Sequence, residues 1–96
     1  MFEIIATETF KSWFASLRDQ KLKDTIRIRL NRIERGNFGR TRTVHGGVSE
    51  IKIDYGPGYR LYYTRRRGTV VILLMGGSKK SQSRDIRRAQ DMEKTI

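Results

Sequence analysis

Four side chains within one stretch could do chemistry together. In Val48–Asp54, VSEIKID, apolar and polar residues alternate, so Ile51 and Ile53 share one face and Glu50, Lys52 and Asp54 the other. Tyr59–Arg65, YRLYYTR, alternates again and sets Tyr59, Leu61 and Tyr63 opposite Arg60, Tyr62 and Thr64. Two antiparallel strands joined by a turn would bring Glu50, Lys52, Arg60 and Tyr62 to one surface. A planar guanidinium fork binds two phosphoryl oxygens at once, which suits Arg60 to stabilising negative charge. A lysine serves as acid or base when neighbouring cations lower its pKa, and Lys52 beside Arg60 would feel that crowding. Glu50 is either a base or the ion-pair partner of Lys52, and the alternation fits both. Tyr62 offers a ring on which a nucleobase can stack.

The composition names a class of partner. In 96 residues there are 21 Lys and Arg against 10 Asp and Glu, a formal net charge of +11. So large a positive balance on a small chain implies a polyanion, nucleic acid first. The length suits a single domain over 1–96 with one core. With no Cys and one His, a disulfide framework, a thiolate metal site and a His cluster are excluded. His45 itself has a pKa suited to proton transfer, although a loop His is more often a solvated bystander. No apolar run approaches the roughly 18 residues of a membrane span, and the N-terminus lacks the pattern of a signal peptide, so a cytoplasmic protein is expected. No helix-turn-helix, zinc-finger or RRM pattern marks a plain nucleic-acid-binding module.

The elements that must position these residues follow from periodicity. Phe2–Ala6 is a β-prone run. Thr7 suits an N-cap, followed by Glu8 in the first turn and by Phe10, Trp13, Phe14 and Leu17 as one apolar stripe. Asp19-Gln20 breaks the chain before a second helix carrying Leu22, Ile26, Leu30 and Ile33, with Gly36 as its C′ residue and Ile28 off the stripe. Asn37–Gly46 reads as a loop with cations at Arg40 and Arg42. Gly56-Pro57-Gly58 predicts a type II turn, with Pro57 and then Gly58 at its central positions, and Arg67-Gly68 predicts another turn. Thr69–Met75 is apolar throughout, a strand covered on both faces. Beyond it, Ser81 or Ser78 would cap a last helix with Ile86, Ala89, Met92 and Ile96 on one arc and Arg84, Arg87, Arg88 and Lys94 on the other. Strand, two-helix hairpin, three-stranded antiparallel meander and C-terminal helix make an α+β fold, with helices against one face of the sheet.

This order, with GPGYRLYY at Gly56–Tyr63 and VVILLMGGSKKSQSRDI at Val70–Ile86, resembles the RelE/ParE toxin superfamily of type II toxin–antitoxin systems. Within it the chain is most similar to the addiction-module killer proteins, the HigB-like or phage Gp49-like branch. The resemblance runs from Phe2 to about Lys94. It implies a RelE-like fold and a cytoplasmic, cofactor-free endoribonuclease that cuts messenger RNA on the ribosome and is held inactive by a small DNA-binding antitoxin of helix-turn-helix type. On that resemblance Lys52 corresponds to a second-strand lysine, Arg60 to a third-strand arginine, and Glu50 to a glutamate that some members use. Lys79 and Lys80 lie where relatives carry a His or Tyr; here neither residue type follows Met75, which leaves the general acid and base unassigned. Cleavage of this type uses the 2′-OH as nucleophile and needs no metal, but the protein must move two protons and stabilise phosphoryl charge. Tyr62, Arg40, Arg42, Arg65, Arg66 and Arg84 would contact the RNA. The alternative implied by the same superfamily is a ParE-type toxin that blocks DNA gyrase. The missing His or Tyr favours it; the cationic strand face favours the nuclease.

Overall fold

Thr7 joins the first strand to the first helix. In the structure, a computed structural model that describes residues 1–96, its N–H donates to the Leu73 carbonyl at 3.1 Å and its hydroxyl to the Leu74 carbonyl at 2.7 Å. The same hydroxyl accepts from the Phe10 N–H at 3.1 Å, which caps the helix. Strand β1, Glu3–Ala6, thereby ends where α1, Glu8–Ser16, begins. Asp19 caps α2, Gln20–Glu34, accepting from the Lys21 and Leu22 N–H groups at 3.0 and 3.3 Å. Gly36 adopts φ +92° after α2, as its position past the last apolar residue predicts.

Four further strands follow: β2 at Thr41–Thr43, β3 at Ser49–Ile53, β4 at Tyr59–Arg66 and β5 at Val70–Ser78. They form one five-stranded sheet in the order β1-β5-β4-β3-β2, with β1 parallel to β5 and every other pair antiparallel. A single 3-10 turn, Lys79–Ser81, leads into α3, Gln82–Thr95. The expected α+β arrangement is therefore present, with three corrections.

The first is β2, which lies inside the stretch read as a loop. Its three residues are exposed Thr, Arg and Thr, so no apolar alternation announces it, and it is recruited by pairing with β3. The second is the β3–β4 turn. The hydrogen bond runs from the Gly58 N–H to the Tyr55 carbonyl at 2.9 Å, one residue earlier than predicted. Gly56, at φ +54°, takes the first central position, and Pro57 the second; Gly58 itself has φ +95°.

The third correction concerns the sheet's second face. Helices α1 and α2 cover one face, where Phe10, Leu22, Ile26 and Ile33 meet Ile51, Ile53, Leu61 and Tyr63. Trp13, Phe14 and Leu17 complete this core half-buried rather than fully enclosed. Helix α3 covers much of the other face, where Ala89 packs with Val48, Tyr62, Leu74 and Met75. An extra residue in β5, Leu74, sits in a bulge between the pairs Tyr63–Leu73 and Tyr62–Met75 and helps fill this second core. The helices thus lie on both faces. No helix is long and apolar enough to cross a membrane.

Candidate functional site

Strand register assembles the site from two adjacent rungs. Arg42 pairs with Glu50 and Glu50 with Tyr62, while Lys52 pairs with Arg60 and Arg60 with Gly77. All these residues point to the face that α3 only partly covers. Lys52 and Arg60 are side by side, as the alternation predicts, and they separate two open clefts. One, about 470 Å³, is bounded by Arg40, Thr41, Arg42, Glu50, Lys52 and Arg60. The other, about 280 Å³, lies between Lys52, Arg60, the Tyr55–Gly58 turn and Lys79. Lys79 is held there because its N–H donates to the Gly58 carbonyl at 3.0 Å.

Arg60 is the unusual member. Only 7% of the residue is exposed, and its Nε and Nη1 atoms are buried without a hydrogen-bond acceptor in the protein. Its nearest anion is Glu50, whose Oε2 lies 3.5 Å from Arg60 Nε. The guanidinium lines both clefts, but with Nε and Nη1 sealed from solvent it offers them its positive charge and its remaining Nη2.

Glu50 is buried and fully engaged. Oε2 accepts from Arg42 Nε at 2.7 Å and Oε1 from Gln82 Nε2 at 3.1 Å. That hydrogen bond with the carboxylate raises the Arg42 guanidinium above its ordinary pKa. Glu50 therefore pairs with Arg42 across the strands, not with Lys52, which instead lies 3.7 Å from Asp54. Both of its oxygens are thus taken up by neighbouring side chains.

Tyr62 departs furthest from its expected role. A ring open to a base requires a solvent face; α3 covers this position and Tyr62 is fully buried. Burial first, then the charges of Glu50 and Asp85, push its hydroxyl well above the usual phenol pKa. The other expected RNA-binding residues are divided. Arg40 and Arg42 line the first cleft. Arg65 and Arg66 lie five and six residues along β4 from Arg60, roughly 17 to 20 Å away. Arg65 stacks over Phe2 and Phe38, and Arg66 is bound to Glu93 at 3.0 Å. Arg84 lines a separate groove between α1 and α3, about 740 Å³. Lys80 is exposed and borders neither cleft. His45, at φ +80° in the exposed β2–β3 turn, is likewise outside both.

Gln82 and Asp85 belong to the neighbourhood without any signal of their own in the sequence. The Gly76-Gly77 pair inside an apolar strand is the available hint, since glycine in a strand interior marks a close approach. A side chain at Gly76 would strike the Trp13 ring, and one at Gly77 would strike Asp85, itself hydrogen-bonded by the Ser81 hydroxyl.

Three comparisons bear on this arrangement. A family model described as phage-derived protein Gp49-like matches residues 9–94. An uncharacterized protein of Haemophilus influenzae is 42% identical over 87 residues, spanning 91% of this chain and 88% of that protein. The solution structure of the conserved hypothetical protein HP0894 from Helicobacter pylori superposes with a TM-score of 0.58 at 19% identity, covering 83% of this chain and 97% of that one. The last is a likeness of fold.

Proposed function

We propose that this chain, which belongs to the phage-derived Gp49-like family, is the toxin of a toxin–antitoxin pair and a metal-independent endoribonuclease acting at the Lys52–Arg60 cleft. The observation that carries the reading is Arg60: a nearly buried guanidinium set beside Lys52 on the strand register and lining both cationic clefts. In the reaction the 2′-oxygen attacks phosphorus, the P–O5′ bond breaks, and a 2′,3′-cyclic phosphate and a 5′-hydroxyl result. Arg60 grips the non-bridging oxygens, most strongly as charge builds on them. Lys52 and Lys79, which line the cleft on either side of Arg60, move the proton from the 2′-hydroxyl and the proton to the 5′-oxygen. Glu50, held by Arg42 and Gln82, keeps Arg60 oriented. The substrate is messenger RNA on the cytoplasmic ribosome, and a cognate antitoxin holds the toxin inactive between episodes of release.

A second reading, a ParE-type gyrase inhibitor, is favoured by one feature: no His or Tyr follows Met75 to act as acid or base. Induced expression in cells, with transcript 5′-end mapping and a supercoiling assay on the purified protein, separates the two. New transcript ends within codons and normal supercoiling support the nuclease. Intact transcripts with arrested supercoiling overturn it.

A further inference from the structure

A third cleft adjoins the first. It occupies about 230 Å³ between the end of α2 and the α2–β2 loop, and Arg29, Arg32, Asn37, Gly39 and Arg40 line it. Its lining holds three guanidiniums and no carboxylate. Asp54, which pairs with Arg40 at 2.8 Å, also lies 3.7 Å from Lys52. Arg29 is a built feature rather than a loose surface cation. Its Nη1 donates to the Lys52 carbonyl at 2.9 Å and its Nη2 to the Phe38 carbonyl at 3.4 Å, so β3 and the loop together fix the fork. Gly39, at φ +62°, lets the loop close on it: a Cβ there would stand 2.8 Å from Arg29 Nη2. Desolvation first and Arg32 next lower the Arg29 pKa, the mark of cations held together at a cost that a bound anion would relieve. Arg40 lines both this cleft and the one containing Lys52 and Arg60, so the two clefts meet at its side chain.

We propose that the Arg29–Arg32–Arg40 cleft is a second phosphate subsite, which holds a flanking phosphodiester of the same single-stranded RNA whose scissile phosphate lies at Arg60. The proposal rests on the nuclease reading for the position of the strand, but not for the existence of the subsite. It predicts that the chain reads strand length through α2: a dinucleotide reaches Arg60 alone, whereas a longer strand reaches both clefts.

The test is equilibrium binding, by fluorescence anisotropy, of uncleavable 2′-O-methyl oligonucleotides of two and of eight nucleotides across a salt series. Arg32→Glu should erase most of the affinity that the longer strand gains over the shorter. It should also flatten the longer strand's log–log salt slope by about 0.7 for each phosphate that is no longer neutralised. Dinucleotide binding should be unchanged. Arg35→Glu makes the same charge change three residues on, outside the cleft, and serves as the control for general field and folding effects. If Arg32→Glu and Arg35→Glu weaken both lengths alike, or if Arg32→Glu weakens neither, the subsite does not exist. Arg60→Met isolates the underlying reading: loss of dinucleotide affinity supports Arg60 as a phosphate receptor. Retention of that affinity, with the Arg32 effect intact, leaves the subsite standing and removes the nuclease site from beside it.

Discussion

Replacing Tyr62 by Phe should make the protein more stable, and the gain should widen at high pH. Tyr62 is fully enclosed by α3 and the second core, and its hydroxyl has no hydrogen-bond partner in the protein. A buried hydroxyl in that state carries an uncompensated desolvation cost of about 1–3 kcal/mol. Phe keeps the ring's packing and removes that cost, so a gain of at least about 1 kcal/mol is expected, roughly 4–8 °C in Tm for a domain of this size. The pH dependence has a definite sign. The folded-state pKa of Tyr62 is raised, so the folded protein keeps a proton that the unfolded chain gives up near pH 10. That contribution is intact below about pH 10 and is lost as pH rises beyond it, by about 1.4 kcal/mol per pH unit once the unfolded tyrosine ionises. The Tyr62→Phe protein lacks this loss. Urea titrations followed by circular dichroism at pH 7, 10 and 11 would read both effects. A variant destabilised at pH 7, or a difference that stays constant between pH 10 and 11, would mean that the hydroxyl is solvated or bonded and that α3 does not seal this face.

Other consequences are as direct. Gly76→Ala should cost about 1–3 kcal/mol by forcing Trp13 off β5, with a change in Trp13 fluorescence that Gly68→Ala, in an open turn, does not produce. Glu50→Gln should destabilise by about 3–5 kcal/mol at neutral pH, because it leaves the buried Arg60 without a counter-charge, and a urea titration will show it. RNA affinity should fall steeply with salt, with a slope of roughly −0.7 for each phosphate neutralised; binding that stays flat from low to physiological salt would rule out a phosphate-led mode.

Much of this molecule can be read from residue types alone. Thr7 marks a helix start, Asp19-Gln20 the break before the next helix and Gly36 a helix end, and the alternation of Val48–Asp54 and Tyr59–Arg65 places Lys52 beside Arg60. These are local rules, and nothing tertiary opposes them. What alternation cannot report is which face another element will cover. The amphipathic arc of Gln82–Thr95 predicts a helix, but only the small Ala89 and the Gly76-Gly77 pair hint that it lies down on the sheet. Alternation by itself therefore leaves Tyr62 open to solvent and makes Arg60 a solvated surface cation, whereas both are buried. Strand β2 carries no signal because Thr-Arg-Thr has no apolar periodicity; its pairing with β3 creates it. The Gln82–Glu50 bond joins residues 32 apart in sequence and has no local signature at all.

Arg60, on this reading, is an anion receptor which the fold tolerates for its chemistry. Arg60→Met is the sharpest test, because it separates activity from stability. An apolar side chain of similar length fills the space, and Glu50 keeps Arg42 and Gln82 as partners, so no buried charge is left uncompensated. Thermal unfolding and cleavage of a defined transcript, on ribosomes and free, would be measured on the same preparation, with Arg60→Lys alongside. Tm should be unchanged or higher, with cleavage reduced at least 10²-fold, about 2.7 kcal/mol of transition-state stabilisation. Arg60→Lys should recover only part of it, since lysine keeps the charge and loses the fork. Arg60→Met cutting as fast as the unaltered protein would show that this guanidinium does not hold the reacting phosphate.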